Sequence, residues 1–364
     1  MCMNHETVAI ISTVLNERDS IQVLLAAFLA QTRVPDEIVV VDGGSTDGTI
    51  EVLRAFAQAS PIVKVHIEPG VNIARGRNIA IHRSRCSIVA VTDGGCYPEP
   101  NWLEELVRPL LDDPGYDAVT GARRIVGKNR FEEFAGLLST SVDSAAEGDR
   151  VFHGRNSAFR KAVWTQIGGY PEWLYTAEDT LFAQRAKALG CRVALAKSAI
   201  VSWRPRPNLR KLCKQYFLYG RGTGRIGNAD MRTVAYHLRN HALWMVPLGL
   251  APLFPWLLLV TAGVLAFLGA TLVKPVLDVV RRRSATAGAS FYVSLIVMTR
   301  SLCNNAGQLL GHWEYLRVEP FMTNQRRYQS GEWRMPELTT VDSMALPTHP
   351  ASSRLTAKPS AKAR

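Results

Sequence analysis

Apolar, β-branched runs alternate with stretches of helical periodicity from Val8 to Thr92, and this alternation restricts the fold more than any other feature of the chain. Val8–Leu15, Glu37–Val41, Val63–Ile67 and Ile88–Thr92 read as strands. Ile21–Leu29, the stretch after Asp47 with Ile50, Leu53 and Phe56 on one face, and Ile73–His82 read as helices. Strands separated by helices are joined by crossovers rather than hairpins, so the pattern predicts an α/β fold whose mostly parallel sheet is covered by helices. Ligands of such sheets bind beyond the carboxyl ends of the strands. Asn16 and Glu17, then Asp42 to Asp47, then Asp93 all fall there.

Asp42-Gly43-Gly44-Ser45-Thr46-Asp47-Gly48 has two readings. Ser45 or Asp47 can cap the helix that follows, as in any tight strand-to-helix turn. Alternatively Asp42 accepts hydrogen bonds from a base or ribose, with the glycines admitting the ligand closely. The segment Gly70 to Asn78 places Arg75, Arg77, Asn72 and Asn78 around a helix start. There an arginine meets a diphosphate or simply solvates a basic helix end. Asp93 is a metal ligand, a ribose ligand or a turn residue. Glu178-Asp179 opens an amphipathic stretch with Leu181, Phe182, Arg185, Ala186 and Leu189. An acidic pair suits a helix start, and it also suits removal of a proton from an attacking hydroxyl. His153 has no second histidine or acid at ligand spacing and reads as structural.

Taken together, VAIISTVLNE, EIVVVDGGSTDGT, GVNIARGRNIAI, IVAVTDGGCYPEPNWLEEL and GRNSAFRKAVWTQIGGYPEWLYTAEDTLFAQRAKALG resemble the family 2 glycosyltransferases, inverting enzymes with the GT-A fold. The resemblance runs from about residue 6 to about residue 225. It implies that Thr13, Leu15 and Glu17 line a nucleotide pocket and that Asp42 binds the base. Ser45, Arg75 and Asn78 join them as substrate-binding candidates. Asp93 falls where the family's metal-associated DxD motif begins, Arg155 near the sugar hydroxyls, and Asp179 of the Glu178-Asp179 pair in the general-base position. The implied partners are a nucleotide-sugar donor and a glycan or lipid-linked acceptor, with Mg²⁺ or Mn²⁺ as cofactor.

The chain departs from the family pattern twice. Asp93-Gly94-Gly95 lacks the second acid of the DxD triplet, so a cation would have one carboxylate and the substrate phosphates. The glutamine-arginine-tryptophan signature of processive members is also missing. Tyr219-Gly220-Arg221-Gly222 looks instead like the element of non-processive members whose arginine, here Arg221, reaches the diphosphate. Gly222-Thr223-Gly224-Arg225-Ile226-Gly227 spells GxGxxG but follows the helical run Leu209–Phe217, and no acid stands about 20 residues on, so a dinucleotide site is rejected.

The net charge of +12 invites a nucleic-acid reading. Residues 1–199 carry a net charge of −3, whereas 200–241 carry +8 and 274–283 carry +3. Between the two basic segments lie 32 uncharged residues, 242–273, broken by Pro247, Pro252 and Pro255. Basic residues beside an apolar stretch suit anionic lipid headgroups, not a nucleic-acid groove. Leu209–Phe217 carries Arg210, Lys211 and Lys214 on its polar face, as an interfacial helix does. The stretch 242–273 has length for one helix but not for two full crossings, with the proline-free Trp256–Val273 as its best core, and a proline-broken re-entrant hairpin would return Arg281-Arg282-Arg283 to the cytosolic side. The six cysteines have no metal or disulfide spacing and fit a reducing compartment. MCMNHETVAI lacks the basic start of a signal peptide.

The expected organisation is a GT-A catalytic domain over 1–230, interfacial and membrane or re-entrant helices over 231–316, and a tail from 317 with a disordered end. The expected activity is inverting sugar transfer at the cytosolic face of the inner membrane. Transfer onto a polyprenyl phosphate and a catalytically silent membrane scaffold are the rivals.

Overall fold

The computed structural model describes residues 6–139, 152–283 and 288–337. The sequence beyond residue 337, expected to end in disorder, lies outside the described residues. The amino-terminal alternation forms as predicted: β1 (Val8–Val14), α1 (Arg18–Leu29), β2 (Glu37–Asp42), α2 (Thr49–Ala59), β3 (Val63–Ile67), α3 (Ile73–Arg83) and β4 (Ile88–Thr92). Then come β5 (Cys96–Pro98), α4 (Trp102–Asp112), β6 (Ala118–Ile125), α5 (Arg130–Leu137), β7 (Asn156–Arg160), α6 (Lys161–Ile167), α7 (Glu178–Ala188) and β8 (Val193–Trp203).

The eight strands form one sheet in the order β3-β2-β1-β4-β7-β6-β8-β5. β1 to β4 are parallel, whereas β7 runs antiparallel to both β4 and β6, and β5 antiparallel to β8. The sheet is therefore mixed. Its chain order reverses at β1, which has β2 on one side and β4 on the other, and such a switch point opens a crevice at the carboxyl ends. β2 is buried at every residue, as a strand covered on both faces must be. Leu24, Phe28, Leu53, Trp102 and Leu106 of α1, α2 and α4 cover one face. Ala80, Ile81, Trp164 and Phe182 of α3, α6 and α7 cover the other.

α8 (Leu209–Arg225), α9 (Met231–Leu250), α10 (Leu257–Leu268), α11 (Lys274–Arg283), α12 (Ala289–Arg317) and α13 (Phe321–Ser330) follow, with a π-helical turn over Gly269–Val273. α8 runs straight through the glycine-rich stretch, and those glycines serve helix packing. A Cβ on Gly307 of α12 would stand 2.1 Å from the Phe217 carbonyl oxygen of α8, and one on Gly220 would meet the Asn304 carbonyl at 2.0 Å. Only glycine lets the two backbones lie this close. Residues 321–335 are part of the folded body: Tyr328 donates to the Gly169 carbonyl at 2.7 Å, and Trp333 packs on Trp173.

Among the described residues, one continuous helical stretch, Leu257–Arg282, is long and apolar enough to cross a membrane, with mean hydropathy 2.1. The chain breaks between α9 and α10 at Pro252 and Pro255, whereas Pro247 lies inside α9, and the two helices touch. Leu248, Leu253, Trp256, Leu259 and Phe267 around this break are exposed.

Candidate active site

Two contiguous cavities open at the carboxyl edge of the sheet. The first, about 670 Å³, lies over β1, β4 and the start of α3 and is lined by Thr13, Leu15, Glu17, Gly76, Asp93, Tyr97 and Trp203, among others. The second, about 540 Å³, lies between β4, the start of α7 and α8, with Arg77, His153, Asp179 and Tyr219 on its wall. Asp93, Arg155 and Trp203 line both. Each has the volume of a small-molecule site. The Thr13 hydroxyl oxygen is buried and has no hydrogen-bond partner among the described residues.

Arg77 is the centre of the second cavity. Its side chain is only 2% exposed, yet it donates to Asp93 Oδ1 at 2.7 Å and to Glu178 Oε1 at 2.9 Å. Space for it comes from Gly154, where a Cβ would stand 2.2 Å from the guanidinium. Three carboxylates, Asp93, Glu178 and Asp179, thus gather around one buried cation. Burial, followed by the neighbouring Asp179 charge, pushes the Glu178 carboxyl up to about 7. Burial also works against the Asp179 carboxylate, but Arg77, His153 and the backbone N–H groups of Gly154 and Thr180 more than offset it and hold Asp179 below its ordinary value. His153 Nδ1 is 4.0 Å from Asp179 Oδ2, and burial lowers the imidazole pKa against the pull of that carboxylate. The adjacent acids are thereby driven apart: Asp179, lowered, is 28% exposed and faces the cavity, while Glu178, raised, lies behind it. Such separation gives two carboxyls different roles.

Arg155 stacks over Trp203, its Cζ 4.5 Å from the ring centroid, with Nε 3.9 Å from Asp93 Oδ2. Asp93 Oδ1 is committed to Arg77, leaving Oδ2 for a cation. Among the described residues no group of three His, Cys, Asp or Glu is arranged to hold a metal. One carboxylate oxygen beside a diphosphate still fits Mg²⁺ or Mn²⁺, which take one or two carboxylates and complete their shell from phosphates and water.

Five sequence candidates are placed away from the cavities. Asp42 is fully buried: Oδ1 accepts from the Gly44 and Ser45 backbone N–H groups at 2.8 and 2.7 Å, and Oδ2 accepts the Ser45 hydroxyl at 2.6 Å. Asp42 and Ser45 therefore hold the turn instead of facing a base. Arg75 pairs with Glu172 at 3.0 Å, outside both cavities. Asn78 is buried, donating to the Tyr170 carbonyl and Glu172 while accepting from Trp164 Nε1 and the Tyr170 N–H. Arg221, expected at the diphosphate, is held with Arg225 by Glu314 of α12, and these two arginines keep the Glu314 carboxyl, despite its burial, down to about 2. Thr13, Leu15, Glu17, Asp93, Arg155 and Asp179 are brought together, with Glu178 directly behind. Arg77 as the shared cation and Trp203 as the floor under Arg155 carry no local sequence signal beyond the basic Arg75-Gly76-Arg77 segment.

A mixed sheet with a split crevice at its switch point, acids at the strand ends and a second cavity beside them, is the architecture of a GT-A-like transferase. The mannosyltransferase PcManGT from Pyrobaculum calidifontis, solved with GDP-Man and Mn²⁺, superposes with a TM-score of 0.54 at 22% identity over 87% of this chain and 89% of that one. Residues 9–168 match the model for Glycosyl transferase family 2, and this match together with relatives named as glycosyltransferases supports a transferase. Glycosyltransferase AglE of Haloferax volcanii is 29% identical over 245 residues, 66% of this chain and 80% of the relative. Succinoglycan biosynthesis protein ExoA of Rhizobium meliloti is 29% identical over 276 residues, 69% of this chain and 80% of the relative.

Proposed function

We propose that this transferase moves a sugar from a nucleotide-sugar donor to a lipid-linked or growing surface-polysaccharide acceptor, with inversion, at the cytosolic face of the inner membrane. The nucleotide occupies the cavity over Thr13, Leu15 and Glu17, and the acceptor enters the cavity before Asp179. Asp179 takes the proton from the acceptor hydroxyl as its oxygen bonds to the anomeric carbon. The bond from that carbon to the donor diphosphate breaks in line, and the nucleoside diphosphate leaves with the electron pair. Asp93 would hold a divalent cation, which would supply charge neutralisation to the departing diphosphate, with the Arg155 guanidinium beside it. The observation that carries this reading is the pairing of a cavity-facing Asp179, its pKa lowered, with an Asp93 shared by both cavities.

ExoA, an O-antigen chain rhamnosyltransferase of Salmonella anatum and a glucosyl-dolichyl phosphate glucuronosyltransferase of Haloferax volcanii are among the relatives, and their names favour envelope glycans and lipid-linked acceptors. The exposed apolar break between α9 and α10, with basic Arg210, Lys211 and Lys214 exposed on α8, favours attachment to a membrane surface. The test is transfer by the full chain in lipid nanodiscs, across a panel of nucleotide sugars with Mn²⁺, followed by NMR assignment of the new anomeric centre. An inverted product on a lipid-linked or glycan acceptor supports the reading. A retained anomer, or no turnover of any donor, contradicts it.

A further inference from the structure

A third cavity, of about 590 Å³, lies between the end of α5 and helices α9, α11 and α12, and the transfer step leaves it unused. Leu138, Leu272, Val276, Val279 and Val297 line it, and among the described residues no acidic side chain does. Arg300 of α12 lines this cavity and the Asp179 cavity alike, so its guanidinium stands at the passage between them. It donates to the Leu138 carbonyl at 3.1 Å and sits 5.6 Å from the Tyr216 ring centroid, without a carboxylate partner among the described residues. The walls of this space are mostly aliphatic, with His237, Ser301, Asn304 and Asn305 as its other polar side chains, and Arg300 is its cationic side, shared with the cavity of the proposed base.

We propose that the third cavity takes the polyisoprenoid chain of a phosphate-linked acceptor and that Arg300 holds its phosphate at the passage to Asp179. This rests on the transfer reading above and names its acceptor class. A free phosphate would leave the aliphatic walls unused, and a phospholipid such as phosphatidylcholine, although it carries a phosphate, has no acceptor hydroxyl for Asp179. A single molecule with an apolar chain, an anionic link and a reactive head matches all three parts.

The test uses the full chain in phosphatidylcholine nanodiscs and a geranylgeranyl diphosphate probe with a diazirine on its chain. Photolabelling is expected within residues 272–280 and 296–305 and is displaced by unlabelled geranylgeranyl diphosphate but not by phosphatidylglycerol. Val279→Trp, which fills the cavity from a 43% exposed position, is expected to cut labelling about tenfold, because the chain loses its apolar contact. Val279→Ala, which opens the space, keeps labelling. So does Leu259→Trp, on an exposed apolar position outside the cavity. Arg300→Gln is expected to weaken labelling by the diphosphate probe several-fold and to leave unchanged the weaker labelling by the same probe with an alcohol head. Labelling elsewhere, equal displacement by phosphatidylglycerol, full labelling of Val279→Trp, or loss in Val279→Ala overturns the proposal. Transfer that persists without this labelling removes the chain site and leaves the transfer reading standing, whereas labelling without any transfer does the reverse.

Discussion

Arg77 donates to Glu178 across 2.9 Å from a side chain that is only 2% exposed, and the same guanidinium holds Asp93. A buried cation answering several acids cannot be removed without leaving their charges uncompensated. Arg77→Met is expected to cost about 3–5 kcal/mol of stability, read as a lowered denaturation midpoint. An unchanged midpoint would show that the carboxylates do not depend on it.

Glu178 gives a pH signature. Its carboxyl is raised from an ordinary 4.5 to about 7 in the folded protein, chiefly by burial and then by Asp179. Because the folded value lies above the unfolded one, the stability it contributes is fully present below about pH 4.5 and is lost as pH rises through about 7. Thermal melting of Glu178→Gln is expected to lack that decline, while the parent protein shows it. Identical pH slopes in both would count against a protonated Glu178.

The glycines of α8 and α12 separate packing from chemistry. Gly307→Val would drive a side chain into the Phe217 carbonyl, 2.1 Å from the new Cβ, and is expected to destabilise by about 1–3 kcal/mol or more through forced separation of the helices. Gly263→Ala in α10 meets nothing within 4 Å and is expected to be neutral or stabilising by about 0.5–1 kcal/mol, since alanine suits a helix interior better. Comparable losses in both would mean that close packing is not what Gly307 provides.

Much of the catalytic half is legible along the chain because its signals are local. Strand, turn and helix alternate within short windows, and the strand ends that carry Glu17 and Asp93 are set by that alternation. What is not legible depends on contacts between distant segments. Asp42 looks like a ligand-binding acid, yet its oxygens are satisfied by the turn it begins. Arg75 and Asn78 are claimed by Glu172, about a hundred positions away, and Arg221 by Glu314 on a helix that no local pattern places against it. Arg77 and Arg75 are alike in the sequence, two residues apart on one helix. Only the fold turns one inward to the acids and the other toward Glu172.

The central claim is that Asp179 takes the proton from the acceptor. It is tested most directly by Asp179→Asn, with single-turnover transfer and nucleotide-sugar binding measured on the same preparation. The expected result is a fall in the transfer rate of about 10²–10⁴-fold with donor affinity within about twofold of the parent, the mark of a group that acts only in the transition state. Transfer at the parental rate in Asp179→Asn would contradict it.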